Sequence, residues 1–238
     1  GLLEKYAPDR LRDTPISEAA FVGAGVGAAV AGLRPVVELM SMSFSLVASD
    51  QIVNMAAKIR YMSGGQVKVP MVLRAPTGGG VQLAATHSQS FENWYASTPG
   101  LKVVTPSTPY DALGLLRSSI EDDNPVIFAE NALLYGTRGE VPDEEFRVPI
   151  GLADVKREGS DITMVGWGHG IITLLDAADK LAETGVKAEV IDLRTLRPLD
   201  MDTVTESVEK TGRALVLDEN WRTAGLGAEI AAEIGYRS

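Results

Sequence analysis

The sequence predicts an α/β protein of three layers, αβα, in which a parallel sheet is covered by helices on both faces, and it predicts two such units in series. Three observations carry this reading. Short β-branched or apolar runs, among them Val69–Leu73, Lys102–Thr105 and Ala188–Leu193, alternate with longer runs of helical spacing, the pattern of consecutive βα units. The alternation stops at Gly136–Arg147, a stretch rich in Gly, Pro and charge, and then restarts. A chain of 238 residues, 45% hydrophobic, is long enough to bury one large core or two ordinary ones. The expected division is a first domain over 1–135, a linker over 136–148 and a smaller second domain over 149–238.

In chain order, Gly1–Arg12 reads as a short amphipathic segment or a loop. Pro15 holds its predecessor extended, Ser17 is a good N-cap, and the Ala/Gly-rich run Ala19–Leu33 has the length of a four-turn helix. Pro35–Leu39 reads as a buried strand. Leu46, Val47, Ile52, Val53, Ala56 and Ile59 recur at helical spacing, which predicts one helix over Ser45–Tyr61, stopped before Ser63-Gly64-Gly65. A strand over Val69–Leu73 leads into the glycine loop Thr77–Gly80. Lys102–Thr105 is a strand, Tyr110–Ile120 a helix and Pro125–Ala129 a strand. After the linker, strands are expected at Asp161–Gly166, Ala188–Leu193 and Ala214–Leu217, with helices at Ile171–Leu181, Met201–Lys210 and Leu226–Ile234.

Composition excludes several function classes. The formal net charge is −10, from 32 acidic and 22 basic residues, with no basic run, so no surface is built to neutralise nucleic-acid phosphates or an anionic membrane. There is no cysteine, which removes disulfides, thiol catalysis and thiolate metal sites, and two histidines cannot assemble a zinc-type cluster. The uncharged Gly/Ala-rich run Ala19–Leu33 is shorter than the roughly 18 apolar residues a membrane span needs, and reads as a buried helix. The chain opens at Gly1 without a signal pattern. A bacterial cytoplasm and an organelle matrix suit this composition equally.

Two glycine motifs look functional at first sight. Gly23-Ala24-Gly25-Val26-Gly27-Ala28 matches G-x-G-x-x-A, but that fingerprint must occupy a strand-to-helix turn, and here the glycines lie more than a turn inside a helix already opened by Ser17. Close helix packing is the favoured role. A nicotinamide-dependent oxidoreductase remains the alternative, with Glu38 awkwardly placed as its ribose-binding acid. Thr77-Gly78-Gly79-Gly80 is followed by no Gly-Lys-Ser/Thr, so the phosphate-cradle reading fails. His169, at a strand-to-helix turn, has no partner visible in the sequence and reads as structural. Glu18 alone reads as a first-turn acid that complements the helix dipole. The face behind it has almost no bulky side chain, so a backbone or flat ligand can approach closely.

Five blocks carry a resemblance: Thr14-Pro15-Ile16-Ser17-Glu18, Ala31-Gly32-Leu33-Arg34-Pro35, Asp50-Gln51-Ile52-Val53-Asn54, Tyr61-Met62-Ser63-Gly64-Gly65 and His87-Ser88-Gln89. In their order the chain resembles the β subunits of the thiamine-diphosphate-dependent first component of 2-oxoacid dehydrogenase complexes, pyruvate dehydrogenase above all, within the transketolase-like enzymes. The likeness covers essentially the whole chain. Relative to that family the sequence lacks several tens of residues at each end, so the second domain is expected to be incomplete.

The resemblance implies a thiamine-diphosphate enzyme that oxidatively decarboxylates a 2-oxo acid, pyruvate first, and passes the acyl group to a lipoyl domain. Branched-chain 2-oxo acids and acetoin are the alternative substrates, and a non-catalytic assembly module is the alternative role. Glu18 is then the glutamate that hydrogen-bonds a ring nitrogen of the cofactor's aminopyrimidine and shares a proton with it. Phe44 is the aromatic side chain on which that ring stacks. His87 stands near the reacting centre as an acid or as a guide for the lipoyl substrate. Backbone carbonyls of Met71, Ser119, Asp122 and Asn124 are implied to hold a structural potassium ion. Magnesium and the diphosphate belong to a separate α chain, since no Gly-Asp-Gly motif with a downstream Asn occurs here. The implied partners are that α subunit, a second β chain and a lipoyl acyltransferase core.

Overall fold

The computed structural model describes residues 1–6 and 9–237. Among these, Leu2–Tyr6 forms a short helix, α1, while the part of the Gly1–Arg12 expectation at residues 7 and 8, and residue 238 of the expected second domain, lie outside the described residues. No helix among the described residues is long and apolar enough to cross a membrane.

The first sheet takes β1 (Val36–Glu38), β2 (Val72–Thr77), β3 (Lys102–Val104) and β4 (Val126–Asn131), all parallel, in the order β1-β2-β4-β3. Helices α2 (Glu18–Val30), α3 (Ile59–Met62), α4 (Glu92–Ala96) and α5 (Pro109–Glu121) belong to this half. The second sheet has the order β5-β7-β6-β9, from β5 (Asp154–Arg157), β6 (Ile162–Gly166), β7 (Ala188–Asp192) and β9 (Ala214–Val216). Here β5 runs antiparallel to β7 and the other pairings are parallel. Helices α6 (Gly170–Glu183), α7 (Met201–Thr211) and α8 (Leu226–Arg237) complete this half.

The two halves are joined by more than a linker. Strand β8 (Thr195–Arg197), from the second half of the chain, pairs antiparallel with β3 and closes one edge of the first sheet. One hydrophobic core runs through both sheets, from Leu39, Phe91 and Ile127 to Val165, Ile191 and Ile230. At this junction Lys156 reaches Asp111 at 2.6 Å and Asp154 at 2.7 Å, and Arg194 reaches Asp111 at 2.7 Å. Asp192 is buried beside them and hydrogen-bonded by Ser107. Burial pushes the Asp192 carboxyl up to about 6, although Lys156 and Ser107 pull it down.

Most expected elements are present with bounds moved by a few residues, and the departures have local causes. The single helix expected over Ser45–Tyr61 is broken into a 3-10 turn, Met42–Ala48, a π segment, Gln51–Ala56, and α3. Ser41 begins the turn early, its hydroxyl accepting the Ser43 N–H at 3.2 Å. The Ala57 N–H bonds the Ile52 carbonyl at 3.1 Å, one residue further back than an α-helix allows. Just there the chain at Gly100 leans on Ala57, so closely that a Cβ would lie 2.0 Å from its carbonyl oxygen.

The strand expected at Val69–Leu73 starts at Val72 and continues through Pro76. Neighbouring β1 ends at Glu38, so by Pro76 no strand on that side asks for an N–H. Strands β5 and β8 and helix α4 went unforeseen because they are short and their hydrophobic pattern is set by distant partners.

The glycine run lies within α2, away from any strand-to-helix turn, as a nucleotide fingerprint would not. A Cβ on Gly25 would stand 2.5 Å from Val37 Cγ2, so α2 lies directly on β1.

Candidate functional site

Glu18 is the first residue of α2, and its side chain is half-buried. Ser17 takes the N-cap position, where its carbonyl accepts the N–H groups of Ala20 and Phe21 at 3.0 Å. Its hydroxyl makes no capping bond, which differs from the expectation. With φ −157° and ψ 82°, Ser17 leaves the usual N-cap geometry. Helix α2 packs against the 3-10 turn Met42–Ala48, and that turn carries Phe44.

Phe44 is half-buried, and the imidazole of His87 meets its ring edge-on, with centroids 5.2 Å apart and planes at 87°. His87 is exposed, with Nδ1 3.0 Å from the Thr86 hydroxyl. Two of the three residues singled out are thus in contact, and the third opens the helix packed behind them.

His87 sits in the loop that follows β2. Gly78 has a φ of +96°, and a Cβ there would lie 2.8 Å from Asn131 Nδ2, so only glycine lets the loop leave the strand against Asn131. The loop ends at α4, whose first residue, Glu92, is buried and accepts a hydrogen bond from Thr77 Oγ1 at 2.7 Å. Burial pushes the Glu92 carboxyl up to about 7, against the pull of Thr77, and the nearby Asp218 and Glu219 add to the rise.

Glu92 faces a cleft lined also by Asn131, His169, Asp218 and Glu219, at the C-terminal ends of β2, β4, β6 and β9. His169 is not without a partner, as the sequence suggested. Its Nδ1 lies 3.2 Å from Glu219 Oε1, because parallel pairing of β6 and β9 puts the residues after each strand side by side. Glu219 Oε2 in turn accepts from Asn131 Nδ2 at 2.8 Å. Sequence reasoning missed Glu92, Asn131 and Glu219. The signal that marks the last two is their place just beyond the carboxyl ends of parallel strands, where α/β sites form.

The four residues assigned to potassium gather where α5 ends. The Met71 carbonyl accepts the Val126 N–H and the Asp122 carbonyl accepts Arg34 Nη1, each at 2.9 Å. Asn124 accepts Arg60 Nη1 on its side-chain oxygen at 2.6 Å, and Ser119 is fully buried. Among the described residues no group of three or more His, Asp or Glu side chains is placed to hold a metal.

The chain is similar to known proteins over nearly its whole length. The family described as "Transketolase, pyrimidine binding domain" matches residues 1–137, and "Transketolase, C-terminal domain" matches residues 151–237. A mitochondrial pyruvate dehydrogenase E1 component subunit beta of Dictyostelium discoideum is 49% identical over 236 residues, covering 98% of this chain and 66% of its own. Subunit beta-1 of the same mitochondrial component from Arabidopsis thaliana is 51% identical over 238 residues, again covering 98% and 66%. The acetoin:2,6-dichlorophenolindophenol oxidoreductase subunit beta of Cupriavidus necator is 50% identical over 238 residues, covering 100% of this chain and 70% of its own. The chain therefore spans just under two thirds of the first two relatives' length. A solved structure titled "Split gene transketolase, inactive beta4 tetramer" superposes with a TM-score of 0.83 at 24% identity, covering 98% of this chain and 73% of that one, and shares the fold.

Proposed function

This chain belongs to the transketolase family, and from that premise we propose that it is the β half of a thiamine-diphosphate-dependent 2-oxoacid dehydrogenase acting on pyruvate. Its first half binds the aminopyrimidine end of the cofactor at a boundary with an α chain, and the α chain holds magnesium and the diphosphate. The observation that carries the reading is the contact of Phe44 with His87 in front of the helix that Glu18 opens.

Thiamine diphosphate, when bound, would supply a carbon nucleophile for the oxo carbon and an electron sink for decarboxylation. The residues of this chain bind and orient. The Glu18 carboxyl hydrogen-bonds a pyrimidine ring nitrogen and holds the shared proton there. The half-exposed face of Phe44 stacks on the pyrimidine. His87, on its exposed loop, supplies or guides a proton near the reacting centre and faces the incoming lipoyl group. A second β chain and a lipoyl acyltransferase core complete the proposed assembly. A potassium ion at Met71, Ser119, Asp122 and Asn124 stiffens the turn after α5, and replacing potassium with lithium is expected to lower the thermal midpoint.

The test is decarboxylation of pyruvate by this chain mixed with a pyruvate dehydrogenase α subunit, thiamine diphosphate and magnesium. Activity is expected only in the presence of the α chain and is expected to collapse in Glu18→Gln. A complex that forms, binds cofactor and is as active with Glu18→Gln would overturn the role of Glu18. A second reading, acetoin as substrate, is favoured by the equally high identity to the Cupriavidus necator subunit. Assaying acetoin cleavage beside pyruvate decarboxylation in one preparation separates the two.

A further inference from the structure

Between its ends the loop that carries His87 packs on Leu133 at Gly80 and on Phe44 at His87 and is otherwise open. Residues 80–87 are exposed, and two of them, Gln82 and Ala84, take positive φ values of 59° and 67°. Side chains rarely adopt that backbone, so the conformation must be imposed from elsewhere. The loop's own bonds are few: the N–H of Gln82 to the Gly79 carbonyl at 3.1 Å and that of His87 to the Ala84 carbonyl at 3.3 Å.

Both ends of the loop are held by one stretch of the second half of the chain, the segment after β9. At the start, Gly78 packs on Asn131, and Asn131 donates to Glu219, which is also paired with His169. At the end, Asn220 Nδ2 donates to Asn93 Oδ1 and Asn93 Nδ2 donates to the Ala224 carbonyl, both at 3.0 Å. Phe91 is buried with its ring 5.6 Å from that of Trp221. The segment is itself kept in shape by Asp218, which accepts the N–H groups of Asn220 at 2.8 Å and Gly227 at 2.9 Å.

We propose that Asn131 and Glu219 are positioning residues for His87: together with the Asn220–Asn93 contact they tether both ends of the 78–91 loop to the second half of the chain. The tether stands on the geometry alone, while its consequence for turnover rests on the role given to His87 above. It assigns the second half a task inside the active centre without placing any of its residues on the substrate.

The test uses the full chain and, for activity, its complex with the α subunit. Asn131→Asp sets a carboxylate against Glu219 with almost no change of volume, and Glu219→Gln in the same chain restores a donor facing an acceptor with the polarity reversed. Amide hydrogen exchange over 79–90 is expected to rise about tenfold in Asn131→Asp, the cost of one charge-assisted bond, and to return near wild type in the double variant. Glu219→Ala, at a partly exposed side chain, gives the same loss without disturbing the core. In the complex, kcat is expected to fall with KM for pyruvate nearly unchanged, and the double variant to recover it. Unchanged exchange in both Asn131→Asp and Glu219→Ala overturns the proposal, as does a double variant no better than Asn131→Asp. Altered exchange with unaltered kcat upholds the tether and overturns the role of His87.

Discussion

The ring of Phe44 and the imidazole of His87 meet edge-on at 5.2 Å, although the two residues lie on different loops of the first half of the chain. One belongs to the turn that α2 packs against and the other to the loop that follows the central strand β2. Their tasks are separable by substitution. Phe44→Leu removes the aromatic face and is expected to weaken thiamine diphosphate binding about tenfold while leaving kcat near wild type. His87→Asn should lower kcat about a hundredfold and leave cofactor affinity in place. Cofactor titration and steady-state kinetics on the complex check both, and equal effects of the two substitutions on both parameters would count against the division of roles.

The ion cluster between the halves is a matter of stability. Lys156 is the cation paired with fully buried Asp192 and shares fully buried Asp111 with Arg194, so Lys156→Ala leaves the Asp192 carboxyl in the interior without its ion-pair partner. The expected loss is about 3–5 kcal/mol in urea denaturation. A loss below about 1 kcal/mol would mean that water from the adjoining cavity, about 620 Å³, solvates the carboxylates.

Glu92 makes stability depend on pH in a definite direction. Its carboxyl is raised in the folded chain to about 7 from an ordinary value of 4.5, so between those values the folded state binds the proton more tightly than the unfolded one. Stability is therefore expected to fall as pH rises through that window. Glu92→Gln keeps an acceptor for Thr77 and removes the titration. It should flatten the profile between about pH 5 and 7 and stabilise the chain at pH 8, by on the order of 3 kcal/mol at most. Thermal melts across that range decide it, and a profile identical to wild type would sink the assignment.

Gly25 tests the close approach of α2 to β1. Alanine favours a helix over glycine by about 1 kcal/mol, but here its Cβ would meet Val37 Cγ2 at 2.5 Å. Gly25→Ala is expected to destabilise the wild-type chain by about 1–3 kcal/mol and to stabilise a Val37→Ala background relative to Val37→Ala alone. A double-mutant cycle in denaturant measures the sign change.

Much of the fold was legible because its signals are local. Ser17 before an Ala/Gly run marked the start of α2, and β-branched runs such as Val126-Ile127-Phe128 marked central strands buried on both faces. The same logic failed over Ser45–Tyr61, where apolar spacing was helical but Ser41 and Gly100 impose a 3-10 turn and a π segment. It failed at β8 as well, a three-residue strand whose identity comes from pairing with β3. Among site residues, Glu18, Phe44 and His87 stood out through short blocks that resemble a family. Asn131 and Glu219 carry no such block, and only their meeting at 2.8 Å singles them out.

The sequence by itself determined the class of the fold, the order of its βα units, and which carboxylate, ring and imidazole deserved testing, because periodicity, caps and short motifs are properties of neighbouring residues. The tertiary structure alone decided that His169 pairs with Glu219, that burial lifts Glu92 to about 7, and that the second half of the chain closes the first sheet and grips both ends of the His87 loop. Each of these joins groups 50 or more residues apart or depends on exclusion from water, as with His169 and Glu219 at a separation of 50. Such relations exist only once packed strands bring distant residues to one place.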